Sequence, residues 1–194
     1  MLSYAVRKTN AFAGIMITAS HNPKEYNGYK VYGEDGAQMS PEATAEVVKY
    51  ISAITDYFSV KEAEIKGIAP RNSSENLVVL GKFFERGYYN EILKLTLSPR
   101  AVKTVGKDIR IVYTPVHGSG YVPVTTILKK MKINATIVEE QAKPDINFST
   151  VAVPNPEFKE TLSMGIALAD KIKADVVFGT DPDCDRLGVA IRDD

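Results

Sequence analysis

The sequence has a single cysteine, Cys184, among its 194 residues, so no disulfide can close within the chain. A reducing, cytoplasmic setting is the expectation that follows. It has no excess of either charge: Lys and Arg number 24, Asp and Glu number 24. A protein that grips nucleic acid by bulk charge is usually basic, so no nucleic-acid partner is expected. No apolar run approaches the ~20 residues of a membrane span, so no membrane partner is expected either. No charged segment followed by an apolar stretch opens the chain, which leaves no sign of a signal peptide. Proline and glycine are scattered rather than clustered, so no low-complexity segment is present. What is there is ordinary for a globular protein, 44% hydrophobic and 25% charged. The length suits one large domain or two modest ones.

The chain is organised around Gly14-Ile15-Met16-Ile17-Thr18-Ala19-Ser20-His21-Asn22-Pro23. Gly14 to Ile17 is short, apolar and partly β-branched, which predicts a buried strand. Asn22-Pro23 is a turn signal. Ser20 therefore sits just past a strand end, on a loop held by a rigid element, where function concentrates. His21 beside it can donate a hydrogen bond or exchange a proton. Tyr29 to Tyr32 reads as a second strand that brings Lys30 back toward the serine. Adjacency of Ser and His in sequence does not by itself make a catalytic pair, so an ordinary loop is the competing reading.

Taken in order, Met1 to Asn10 predicts a helix that feeds straight into a core strand. We therefore expect the first domain to lack its beginning. Gly33 to Gly36 predicts a turn. Ser40-Pro41-Glu42 predicts a helix start, with Ser as cap and Pro in the first turn. That helix is expected to run to about Tyr57, with Ala43, Val47, Ile51 and Ile54 on one face. The mixed, polar stretch from Ala63 to Asn76 is the expected linker. Lys82 to Leu97 has helical spacing, and Ser98-Pro99 is expected to end it. Strands over Ile109–Tyr113, Ala135–Val138 and Ala174–Phe178 alternate with helices over Val122–Met131 and Glu157–Ile172. That βαβ alternation predicts a parallel sheet with ligand-binding loops at the carboxyl ends of its strands.

The last of these strands opens into Thr180-Asp181-Pro182-Asp183-Cys184-Asp185-Arg186. Three carboxylates at alternate positions would repel one another unless a hard cation lay between them, and hard cations take oxygen ligands. A solvated acidic turn is the plain alternative. An EF-hand is excluded, because its glycine and glutamate places are filled by Arg186 and Arg192. A phosphate oxygen is the natural further ligand, with Arg186 neutralising the rest of that phosphate. His117, in a turn after the first parallel strand, is expected to be structural.

Together, Thr18-Ala19-Ser20-His21-Asn22-Pro23, Asn27-Gly28-Tyr29-Lys30 and Asp181-Pro182-Asp183-Cys184-Asp185-Arg186 resemble the α-D-phosphohexomutase family. Gly14 to Tyr32 looks closest to its phosphoglucomutase and phosphopentomutase branch. Thr114 to Gly118 and Val153 to Glu157 resemble two further loops of its second domain. The resemblance implies mixed and parallel α/β sheets with flanking helices, in two consecutive α/β/α domains. Residues 1–75 would be the later part of a truncated first domain, and 76–194 most of the second. Domains 3 and 4, which select and hold the sugar, would lie elsewhere in a longer chain.

The resemblance also implies roles. Ser20 carries the transferable phosphate, with His21 and Lys30 beside it and Lys30 the acid/base group. Asp181, Asp183 and Asp185 bind Mg²⁺ together with the Ser20 phosphate, while Asn22 and Arg186 support or contact that phosphate. Cys184 is inert. The implied reaction is intramolecular phosphoryl transfer between the 1 and 6 positions of a hexose phosphate, or 1 and 5 of a pentose phosphate. A sugar bisphosphate would be its activator, and the 194-residue chain alone would be inactive. Two rivals are a phosphatase with Asp181 as nucleophile and a domain that binds phosphate and metal without chemistry.

Overall fold

The computed structural model describes residues 1–61, the backbone of 68–69, and residues 77–193. The expected linker from Ala63 to Asn76, and the expected division between residues 75 and 76, lie outside the described residues apart from that backbone pair. The chain forms two compact units. One comprises Met1–Met16 with Lys30–Ile92, the other Ile17–Tyr29 with Leu93–Asp194.

The first unit begins with α1 (Leu2–Thr9), closed by Asn10 in the left-handed conformation. β1 (Gly14–Ile17) and β2 (Tyr29–Tyr32) pair as a two-stranded ribbon. A methyl at Gly14 would lie 2.7 Å from a methyl of Val6, so glycine is what lets α1 rest on β1. The prediction that β1 is buried holds at Gly14, beneath α1, and in part at Met16, but fails at Ile15 and Ile17, which are 62% and 70% exposed. Ser40 caps α2 (Pro41–Ser52) as its side chain accepts from the Ala43 amide. That helix stops short of the expected Tyr57: Asp56 caps a separate 3-10 turn, Tyr57–Ser59, by accepting from the Phe58 amide at 3.0 Å. β3 (Ile68–Ala69) and β4 (Leu77–Val78) pair in parallel. α3 (Lys82–Lys94) meets α1 through aromatic rings, with Tyr4 5.1 Å from Phe84 and 5.6 Å from Tyr88.

In the second unit, Ser98-Pro99 does not merely end a helix. It starts another, α4 (Pro99–Val105), with Pro at a position where a missing amide hydrogen costs nothing. β5 (Ile111–Thr114), α5 (Tyr121–Lys130), β6 (Ala135–Ile137), α6 (Lys159–Ile172) and β7 (Val176–Thr180) follow as the alternation predicts. A strand that the sequence pattern does not assign, β8 (Leu187–Ile191), pairs antiparallel with β7. The sheet order is β6-β5-β7-β8, with the first three parallel. Val112, Val138, Ala169, Ala174 and Val177 form the core. A methyl at Gly165 would come within 2.9 Å of Val177, so α6 lies close on β7. β5 is buried along its whole length. Residues 115–120 leave its carboxyl end and 181–186 leave that of β7.

Candidate active site

The second unit holds the serine loop and the acidic loop together. Thr18, just past β1, donates its hydroxyl to Asp183 Oδ2 at 3.0 Å, and the Thr18 hydroxyl oxygen accepts from the Ser20 amide at 2.7 Å. The Thr18 amide donates to the Gly28 carbonyl at 2.9 Å, which closes the base of the loop. Ser20 itself has φ 54°. For a residue with a side chain, that left-handed conformation costs about 1–2 kcal/mol. Its hydroxyl lies 3.4 Å from Asp181 Oδ2 and 3.1 Å from His21 Nδ1. A single hydroxyl proton serves both contacts only when His21 carries its own proton on Nδ1, so that Ser20 accepts from the ring and donates to the carboxylate.

Asp181 is fully buried. Its Oδ1 accepts from the backbone amides of Asp185 and Arg186, at 3.1 and 3.0 Å. Its carbonyl accepts from the Cys184 amide at 3.0 Å, with Cys184 also at positive φ. Burial pushes the Asp181 carboxyl up to about 6. The Arg186 amide opposes that rise, and the neighbouring Asp183 and Asp185 carboxylates add to it.

One carboxylate oxygen from each of Asp181, Asp183 and Asp185 lies within 4.8 Å of the others. Oxygens on opposite sides of an octahedral Mg²⁺ are about 4.2 Å apart, at about 2.1 Å from the ion. The three donors are hard, and the limit on their separation is close to that span. The residues present therefore fit Mg²⁺.

The loop after β5 fixes the acidic loop from below. Ser119 donates both its amide and its hydroxyl to the Pro182 carbonyl, at 2.8 and 3.0 Å. A methyl at Gly118 would meet Pro182 Cα at 2.5 Å. One at Gly120 would meet Tyr113 Oη at 2.6 Å and Cys184 Sγ at 2.8 Å. Burial pushes the Cys184 thiol up, so the nucleophilic thiolate is disfavoured. His117 is buried and built in. One ring nitrogen donates to the Lys143 carbonyl and the other meets the Thr150 hydroxyl, both at 2.8 Å.

Of the residues singled out from sequence, the second unit brings together Ser20, His21, Asp181, Asp183 and Asp185. Asn22 is exposed, and its amide closes a turn onto the Ala19 carbonyl. Arg186 pairs with Glu157 at 2.8 Å. Lys30 is half-buried on β2 and belongs to the first unit. The sequence reading gives Thr18 and Ser119 no roles of their own. Their only signal is a hydroxyl residue two positions before a loop serine, and one directly after a glycine.

A family model described as phosphoglucomutase/phosphomannomutase, alpha/beta/alpha domain II, matches residues 86–194, and the one described as domain I matches residues 1–58. A phosphoglucomutase of Staphylococcus aureus strain MRSA252 is 41% identical over 194 residues, which cover 99% of this chain and 33% of that protein. The chain thus spans about a third of the length of the curated relatives it matches. A solved structure from Thermus Thermophilus superposes with a TM-score of 0.71 at 26% identity, over 98% of this chain and 39% of that one. The phosphoglucomutase parafusin from Paramecium, 20% identical over 98% of this chain and 38% of its own, shares the fold with a TM-score of 0.65.

Proposed function

Because the chain belongs to the phosphoglucomutase/phosphomannomutase family, we propose that it carries the phosphoserine and metal-binding parts of a phosphosugar mutase. The observation that carries this reading is the Ser20 hydroxyl lying 3.4 Å from Asp181, one of three clustered carboxylates. A phosphate ester on that hydroxyl would face concentrated negative charge. Such an arrangement is tolerable only with a cation present, and three hard oxygen donors supply its site.

In the proposed reaction, phosphorylated Ser20 gives its phosphoryl group to a free hydroxyl of a hexose monophosphate. The bond from Ser20 Oγ to phosphorus breaks as the bond from the sugar oxygen forms. Lys30, as the acid/base group, manages the sugar hydroxyl proton, and Ser20 Oγ is left as a hydroxyl. The bisphosphate turns over, and Ser20 Oγ accepts the other phosphoryl group, so that phosphate moves between the 1 and 6 positions. Mg²⁺, when held by Asp181, Asp183 and Asp185, neutralises charge on the phosphoryl group. His21 orients the Ser20 hydroxyl, while Arg186 and Asn22 support the phosphate. A pentose phosphate, with transfer between 1 and 5, is the alternative substrate. The segments 1–75 and 76–194 act as parts of the first and second domains of a cytoplasmic enzyme. Sugar-selecting groups lie on domains 3 and 4 of the longer protein, and the 194-residue chain alone does not turn over.

The test is conversion of glucose 1-phosphate to glucose 6-phosphate by the longer protein, coupled to a dehydrogenase. Ser20→Ala should lower turnover by orders of magnitude, as loss of a nucleophile does. Near-normal turnover in that variant would remove Ser20 from the mechanism.

A further inference from the structure

The Thr18 hydroxyl is used twice, and its two partners belong to the two loops of the site. It accepts from the Ser20 amide at 2.7 Å and donates to Asp183 Oδ2 at 3.0 Å, a contact across 165 positions of sequence. A hydroxyl has one proton to give and lone pairs to receive, so both of its directions are engaged. Ser20 is held at φ 54°, a conformation that surrounding contacts must impose. The backbone of Thr18 is anchored separately, by its amide on the Gly28 carbonyl at 2.9 Å. The side chain is therefore free of that task.

We propose that Thr18 is a positioning residue that couples the acidic loop to the nucleophile. Its hydroxyl fixes the Ser20 backbone while anchoring one carboxylate oxygen of Asp183. A shift of Asp183 is thereby transmitted to the Ser20 amide, and the Ser20 conformation is transmitted to a cation's ligands. The proposal rests on the mutase reading for its purpose, but the coupling itself is a property of this chain.

A local turn at Thr18-Ala19-Ser20 would respond to changes at Thr18 only. Coupling through the hydroxyl predicts a response to Asp183, which does not touch the Ser20 amide through any other bond named above. The experiment measures hydrogen exchange of the Ser20 amide in the 194-residue chain, with Mg²⁺ affinity by calorimetry alongside. Thr18→Val keeps the shape and removes the hydroxyl, so exchange should quicken by about tenfold and Mg²⁺ affinity should fall. Thr18→Ser keeps the hydroxyl and should restore both to within about threefold of the parent. Asp183→Ala, with Thr18 intact, should also quicken exchange at Ser20. Parent-like exchange in Thr18→Val, a Thr18→Ser variant as impaired as Thr18→Val, or no change at Ser20 in Asp183→Ala would each overturn the coupling. Should Thr18→Val fail to fold, the Thr18→Ser and Asp183→Ala arms decide the matter. The mutase reading is judged separately, by whether a glucose bisphosphate phosphorylates Ser20 in the parent chain. Its failure leaves the exchange comparison standing.

Discussion

Ser20 Oγ lies 3.4 Å from Asp181 Oδ2, although 161 positions separate them in sequence. The carboxylate is fully buried, and its other oxygen is held by two backbone amides. The serine is held at a positive φ, and its backbone amide donates a hydrogen bond to the Thr18 hydroxyl. Neither partner is a loosely tethered surface group. On the proposed reading, the serine and a carboxylate of the acidic cluster are thus preorganised against each other, as phosphoryl transfer by positioning and electrostatics would require.

The first prediction concerns the cation. The chain should bind Mg²⁺ at Asp181, Asp183 and Asp185, whose ligand oxygens already lie within 4.8 Å of one another. Replacing Asp183 by Ala should weaken binding by at least about tenfold, or about 1.4 kcal/mol. Calorimetry on the two proteins measures this. Equal affinities would remove the carboxylates from the ligand set.

How far all this can be read from sequence depends on the range of the interactions involved. β1 and β2 are legible residue for residue, because short apolar runs between turn signals leave little choice. The acidic loop is legible because like charges at alternate positions need an explanation within the loop itself. Ser98-Pro99 reads as a stop although Ser40-Pro41 reads as a start. The same pair of residues begins both α4 and α2, and only the residues that follow decide. β8 escapes the pattern because it follows the acidic loop as a tight antiparallel return, and the βαβ rhythm ends at β7. Exposure of Ile15 and Ile17 is invisible because composition reports what a strand prefers to bury, not what covers it. The contact from Thr18 to Asp183 has no sequence signal at all, since nothing local to either residue encodes a partner 165 positions away.

A second prediction uses acid. The backbone amides of Ser149 and Asn147 hold the Asp145 carboxyl down at about 2, below its ordinary 3.8. The folded value is the lower one, so this carboxylate's contribution is complete above the unfolded value and is lost as pH falls through the folded one. The Asp145 turn should therefore remain formed at about pH 3 and open only near pH 2. A carboxyl carbon titration by NMR reads the midpoint directly. A midpoint near the ordinary value would show that the amides do not hold it.

A third prediction concerns the glycine between the two loops. Gly120 has ordinary φ, so only space forbids a side chain there. A methyl would fall 2.6 Å from Tyr113 Oη and 2.8 Å from both Thr180 Oγ1 and Cys184 Sγ. Tyr113 and Thr180 are bonded to each other at 2.9 Å and buried, so neither can simply swing away. Gly120→Ala should lower stability by about 1–3 kcal/mol, as overpacking does. Thermal unfolding of the two proteins checks it, and an unchanged midpoint would mean that the loops separate without strain.

The last prediction is where a phosphate will be found. After incubation with glucose 1,6-bisphosphate and Mg²⁺, the chain should carry one added phosphate, mapped to Ser20. Asp181 is the rival acceptor, because it begins the acidic loop and faces the same space at 3.4 Å. Its environment argues against it. One oxygen is occupied by the amides of Asp185 and Arg186. The carboxylate is wholly buried, and as a ligand its lone pairs would be directed at a cation. Ser20 is only half-buried, and its hydroxyl has the Asp181 carboxylate within reach to accept its proton. The two products differ chemically as well. A phosphoserine is a phosphate ester and withstands neutral hydroxylamine, whereas an acyl phosphate on Asp181 is a mixed anhydride and is cleaved by it. A label that resists hydroxylamine and disappears in Ser20→Ala supports the serine. A label that hydroxylamine removes and that persists in Ser20→Ala would place the chemistry on Asp181 and overturn the mutase reading in favour of a phosphatase.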